Sequence, residues 1–166
     1  MMRHVAMVGL LVAVAGCAQP TPYAAQSHDQ GYSENQIEAN RWRVTFRGNS
    51  VTPKQTVEDY LLYRAAELTA AHGYDYFVVA ARKREPKTLY PNDAIGFPGY
   101  GGLYPFYLGG PLVGAPTPIP ITRYEDTAEI VMFRGTKPAA DAQAYAAPDV
   151  LARLGPEIRR PDRAAS

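Results

Sequence analysis

One thiol, Cys17, and three imidazoles, His4, His28 and His72, are the only cysteine and histidine ligands among the 166 residues. No two of them stand at the short spacing that builds a zinc site, so no metal set is read from them. His72 suits a simpler role, a cation near the end of a helix. Ser27, Ser33 and Ser50 lack the Gly-x-Ser-x-Gly turn that presents a nucleophile. Glu58-Asp59 and Glu125-Asp126 place carboxylates side by side. Neighbours on a helix or strand point in different directions, which suits solvated faces better than paired acid–base work. Gly99-Tyr100-Gly101-Gly102 is no phosphate loop, because no Lys-Ser/Thr follows and no helix opens after it. No catalytic constellation and no cofactor motif emerges, and the chain reads as non-enzymatic.

Two groups of residues suit binding. Arg41, Arg43 and Arg47 share one strand face and can meet an anionic glycan or a lipid phosphate. The plainer reading is an edge strand protected by charge. Arg82-Lys83-Arg84 reads in the same way as a solvated strand end. Tyr100, Tyr104, Phe106 and Tyr107 lie on a Gly/Pro-rich backbone. Such aromatics suit contact with a protein partner, a glycan or a membrane interface, although packing on the protein's own sheet is favoured. A glycan-binding or glycan-acting alternative would stack Tyr100, Tyr104 and Tyr107 on the sugar, with Glu125 or Asp126 as the acting carboxylate.

The position of Cys17 is the most telling feature. Met1-Met2-Arg3-His4 is a basic start, Val5 to Val14 is apolar, and Ala15-Gly16-Cys17-Ala18 is a small-residue exit. That order reads as a secretory signal, and the run falls short of the roughly 20 apolar residues a spanning helix needs. Val14-Ala15-Gly16-Cys17 resembles the lipobox of bacterial lipoproteins. The resemblance implies cleavage after residue 16 and acylation of Cys17. Two or three acyl chains then hold the protein on a membrane, each buried methylene adding about 0.8 kcal/mol. Ala18 behind the cysteine, rather than Asp, implies the outer membrane, facing the periplasm. As the only cysteine, Cys17 can form no internal disulfide, and acylation removes a reactive thiol from an oxidising compartment. The chain carries 17 Lys+Arg against 16 Asp+Glu. So even a balance argues against nucleic acid as a partner.

Behind the signal, residues 17–39 read as a lipidated polar tether, with Tyr23, His28 and Tyr32 as solvated linker residues. A small domain follows over 40–135. Trp42, Val44 and Phe46 alternate with polar residues, which predicts a strand over Arg41 to Arg47. Thr52, Pro53 and Gln55 form a capping-box start, and Val57, Leu61, Ala65 and Leu68 recur at helical spacing. Lys54 and Glu58 make an i,i+4 pair, and Gly73 closes a helix expected over Pro53 to His72. Strands over Asp75 to Lys83 and Thr127 to Arg134 are apolar on both faces, and such strands are covered twice. Residues 86–121 form a long Gly/Pro/aromatic loop between them, too rich in helix and strand breakers for either element. Residues 136–166 read as an Ala-rich tail with a short helix over Asp149 to Leu154, frayed from Gly155.

Tyr60-Leu61-Leu62-Tyr63-Arg64-Ala65-Ala66-Glu67-Leu68 and Gly73-Tyr74-Asp75-Tyr76-Phe77, with Phe46-Arg47-Gly48-Asn49 and Tyr32-Ser33-Glu34, resemble a family of uncharacterised alphaproteobacterial envelope lipoproteins. The likeness covers roughly Gly31 to Val79 and implies an envelope lipoprotein without assigning catalytic residues. Taken together, the elements predict an α+β fold, a β-α-β-β layer with one long helix on a three-stranded sheet. One helix covers one sheet face, so the second face needs a cover. The aromatic loop is favoured over the Ala-rich tail or another protein. The expected role is a membrane-anchored lipoprotein with a structural task or an envelope protein partner. Besides the glycan reading, signalling of envelope damage stands as a further alternative.

Overall fold

The computed structural model describes residues 18–89 and 120–161. Cys17, Tyr100, Tyr104, Phe106 and Tyr107 therefore lie outside the described residues. The elements are β1 (Gly31–Glu38), β2 (Arg41–Arg47), α1 (Lys54–Ala71), β3 (Tyr76–Leu89), β4 (Ile121–Phe133), β5 (Ala144–Ala146) and α2 (Ala147–Leu154), closed by a 3-10 turn over Gly155–Glu157. The strands make one sheet in the order β1-β2-β4-β3-β5, with every neighbouring pair antiparallel.

This overturns the three-stranded sheet with a single helix. β1 escapes a pattern reading because only its first residues are covered, and from Glu34 to Glu38 it is an exposed edge. β5 is three residues long and pairs only with Tyr76 to Val78. The supposed tether is folded as well. Tyr23 is 4% exposed, and Ala24 to Gln26 hydrogen-bond alongside the start of β1. A two-residue turn with His28 and Asp29 both at positive φ then leads into β1. Nor does the tail fray at Gly155: the Arg159 carbonyl accepts from the Tyr23 amide at 2.7 Å.

α1 buries Val57, Leu61, Ala65 and Leu68, joined by Tyr60 and Tyr63, against the sheet. Its expected capping box does not form. Pro53 is the cap residue, and the Thr52 hydroxyl instead accepts from the Thr21 amide at 2.9 Å and donates to Asn49 Oδ1 at 2.7 Å. At the other end Gly73 (φ 72°) ends the helix. Its amide donates to the Ala70 carbonyl and that of Tyr74 to the Thr69 carbonyl, the paired bonds of a Schellman stop.

The helix-facing side of the sheet carries Val44 and Phe46 of β2, Ala128, Ile130 and Met132 of β4, and Phe77 and Val79 of β3, all buried. The register of β3 slips between Val79 and Ala81, leaving Ala80 as a bulge. The extra residue reverses the facing of everything after it, so Arg82 points under the helix rather than away from it. β3 and β4 also extend to Leu89 and from Ile121, shortening the expected 86–121 loop from both sides. Pro86 is tolerated because β5 pairs only with the first residues of β3, leaving that edge free.

The opposite face is less apolar than the two-sided strands imply. Tyr76, Val78, Val131 and Phe133 gather at one end, where Tyr76 stacks on Phe133 at 5.3 Å. Between that end and Ile121, the face formed by β2, β4 and β3 is charged or hydroxylated apart from Ala81. Among the described residues no helix or strand packs over this face.

Candidate interaction surface

The open face is built by cross-strand pairing between β2 and β4. Arg43 stands opposite Glu129, and Arg47 opposite Glu125, with Thr45 and Thr127 between them. Arg41 reaches diagonally, so that Glu129 accepts from Arg41 Nη2 at 2.8 Å and from Arg43 Nη2 at 2.6 Å. Glu125 lies 3.1 Å from Arg47 Nε and 2.8 Å from Lys87 Nζ, while Arg47 Nη1 also stands 3.4 Å from Asp29. The Thr45 and Thr127 hydroxyls share a hydrogen bond of 3.0 Å.

The three arginines expected to share a face do so. β2, however, is flanked by β1 and β4, so their charge protects no edge. They hold carboxylates instead. Hydrogen bonds from Arg43 and Arg41 keep the Glu129 carboxyl below the usual carboxylate range. Burial would raise Glu125, but hydrogen bonds from Arg47 and Lys87 overcome it and hold this carboxyl low too. Both glutamates are thus fixed as anions, the opposite of what a general acid requires.

The paired carboxylates of the sequence do not converge. Glu125 is on the open face, whereas Asp126, 2% exposed, lies under α1. Asp126 accepts from the single Arg82 Nε–H, shared between its two oxygens at 3.0 and 3.2 Å, and from Arg82 Nη2. Glu58 joins this second cluster, 3.3 Å from Arg84 and 3.7 Å from Lys54. A cavity of about 300 Å³ opens beside them, lined by Lys54, Glu58, Arg84, Pro86, Tyr124 and Asp126. Asp59 turns away to Gln55, 2.9 Å distant, and burial raises its carboxyl above the ordinary value. The solvated strand end expected for Arg82-Lys83-Arg84 fails at Arg82, which is enclosed with Asp126, while Lys83 and Arg84 stay exposed. The bulge that aims Arg82 inward leaves no mark in the local residue pattern.

A third cluster lies where sequence reasoning saw only linker. The Tyr23 ring packs edge-on against Tyr60 at 5.5 Å and Tyr63 at 5.3 Å, and tilted against Tyr32 at 5.0 Å. Its hydroxyl donates to Glu67, which also accepts from Arg64 at 2.9 Å and Arg160 at 3.1 Å. Arg64 reaches on to Glu34 at 2.7 Å. Burial, reinforced by Glu67, pushes the Tyr23 phenol far above its normal ionisation, so the group is a fixed donor. Four tyrosines and two arginines at separated positions were the available signal.

The remaining candidates stay apart. The His72 Nδ1–Leu68 carbonyl bond is 2.8 Å and the ring lies 4.8 Å from Trp42, a helix-end role without a ligand set. Ser27 and His28 share a 2.9 Å hydrogen bond, but both sit in an exposed turn and no carboxylate bonds the ring. Among the described residues no three groups gather that could hold a metal ion. Nor is any helix among them long and apolar enough to cross a membrane, which says nothing about strands. No family model matches the chain, and no curated protein or solved structure gives a significant match to it.

Proposed function

We propose that this chain is an envelope lipoprotein, acylated at Cys17 and held on the outer membrane facing the periplasm. Its role is non-enzymatic: it presents the open sheet face, and the aromatic segment with Tyr100, Tyr104, Phe106 and Tyr107, to an envelope protein. The observation that carries this reading is the ladder Arg41–Glu129–Arg43 and Arg47–Glu125–Lys87 on a face that no described element covers. A sheet face of pre-paired charges, bordered by Tyr76, Val78, Val131 and Phe133, has the polar-and-aromatic make-up of a recognition patch. Its glutamates are ionised and already ion-paired, so the partner meets the outer edges of the arginines. The glycan-acting alternative loses its acid, since Glu125 is held ionised and Asp126 is enclosed by Arg82 on the other side of the sheet.

A photo-crosslinking amino acid placed at Arg43 or Thr127 in intact cells tests the reading. The expected result is a discrete protein adduct that a probe at exposed Gln55, on the helix that covers the other face of the sheet, does not give. Equal or absent adducts from both faces would remove the partner-binding role. Radiolabelled palmitate tests the anchor separately: label is expected in the native chain and not in Cys17→Ser.

A further inference from the structure

Resting on the lipid anchor proposed above, we infer that the domain stands on the bilayer in one orientation. The end bearing the β2–α1 turn and the outer half of the β3–β4 hairpin faces the phosphate headgroups. Reach is the first argument. Thr21 is 4% exposed, and its backbone and hydroxyl are tied to Thr52 and Asn49, each at 2.9 Å. Gln19 is tied too, its carbonyl accepting from Asn49 Nδ2 at 2.6 Å. The four steps from Cys17 to Thr21 span at most about 14 Å. A tether of the length expected from sequence would let the domain turn freely; this one does not.

The second argument is which end the anchor meets. Arg47 pairs with Glu125, and the Gly48 amide donates to the Tyr124 carbonyl, so Asn49 and Val51 sit where β2 stops. Past that point only β3 and β4 continue among the strands, from Pro86 opposite Tyr124 to Leu89 opposite Ile121, beside the turn over 27–30 whose Asp29 stands 3.4 Å from Arg47. The anchor and the hairpin therefore leave the domain at the same end. The far end is marked by Glu38, Asn40 and Gly135, where the Asn40 carbonyl accepts from Met132 and the Gly135 amide donates to Asp75.

Chemistry at the near end fits a headgroup layer. Val51 is 44% exposed there, and Ile121 37%. The last charged side chains of the hairpin arms are both cations, Lys87 and Arg123. Amines and guanidiniums at this end suit a headgroup layer, where they meet phosphate.

The test uses the full-length acylated protein in vesicles of phosphatidylethanolamine and phosphatidylglycerol. With Cys17 acylated, an introduced cysteine is the only free thiol. Val51→Cys and Thr88→Cys mark the near end, Glu38→Cys and Thr136→Cys the far end. Each is labelled with bimane and quenched by a headgroup-nitroxide lipid. Strands of this register separate the two ends by about 30 Å, so quenching is expected to be about threefold or more stronger at the near pair. A long Gly/Ser insertion between Ala18 and Gln19 should equalise the four sites while palmitate incorporation is unchanged. Equal quenching of the uninserted protein at both ends, or stronger quenching at the far pair, overturns the orientation and leaves the anchor standing. Failure of the native chain to incorporate palmitate removes the anchor, and the orientation with it.

Discussion

The Tyr23 hydroxyl donates to the Glu67 carboxylate across 44 residues of sequence, fastening the N-terminal segment to the C-terminal half of α1. Around that bond the ring is enclosed by Tyr32, Tyr60 and Tyr63. Ring and hydroxyl can be separated by substitution. Tyr23→Phe removes the hydrogen bond but leaves Glu67 its two arginines, and should cost about 1 kcal/mol. Tyr23→Ala empties the cluster and should cost about 3–5 kcal/mol. Urea unfolding of the two variants checks the ratio; equal losses would mean that the ring contributes nothing.

Gly31 enters β1 at φ 102°, and a Cβ there would stand 2.6 Å from the Ala24 carbonyl oxygen. Backbone strain and backbone clash act together at this position, and neither can be relieved by turning a side chain. Gly31→Ala is expected to destabilise by about 2 kcal/mol or more, read as a lowered denaturant midpoint at unchanged slope.

Asp126 and Arg82 form an enclosed ion pair, with Asp126 at 2% exposure. Removing one charge leaves the other desolvated. Asp126→Asn should therefore cost about 3 kcal/mol, whereas Arg82→Met combined with Asp126→Leu should cost clearly less than the sum of the single changes. A double-mutant cycle in thermal unfolding measures this, and strict additivity would refute it.

The pH dependence follows from Glu125 and Glu129, whose carboxyls are held below the usual range by Arg47, Lys87, Arg41 and Arg43. In the unfolded chain a glutamate titrates near pH 4.3. A folded pKa below the unfolded one stabilises the protein above the unfolded value, and that stability drains away as pH falls through the folded value. Melting temperature should hold from neutrality to about pH 5 and drop below it. Glu125→Gln with Glu129→Gln should lower the neutral plateau and flatten the acid limb. An unchanged acid limb would show that the ladder does not couple to folding.

Much of the core was legible in the residues because it obeys one periodicity. Trp42, Val44 and Phe46 repeat every second residue, Val57, Leu61, Ala65 and Leu68 every third or fourth, and the Gly73 stop is a local matter of φ. What was not legible is what tertiary contact decides. β1 is polar because it is an edge strand, and its composition is that of a linker. Thr52 and Gln55 spell a capping box, yet the Thr52 hydroxyl is claimed by Thr21 from 31 residues away. Arg41, Arg43 and Arg47 could be placed on one face, but their acceptors Glu125 and Glu129 follow only from the register of β2 on β4. Asp126 and Arg82 needed the bulge at Ala80, which no propensity announces.

The backbone bond from Tyr23 to Arg159 joins almost the first described residues to almost the last. Arg159 also donates its amide to the Tyr60 hydroxyl at 3.0 Å, and the Arg160 guanidinium lies over the Tyr23 and Tyr63 rings at 5.6 and 5.8 Å. A nascent chain that breaks off anywhere before this segment would present a bare tyrosine cluster and a loose leading strand. Proteases that read unpaired aromatics and open strand edges would meet both at once. The clasp thus ties closure of the tyrosine cluster to the presence of the segment at Arg159 and Arg160.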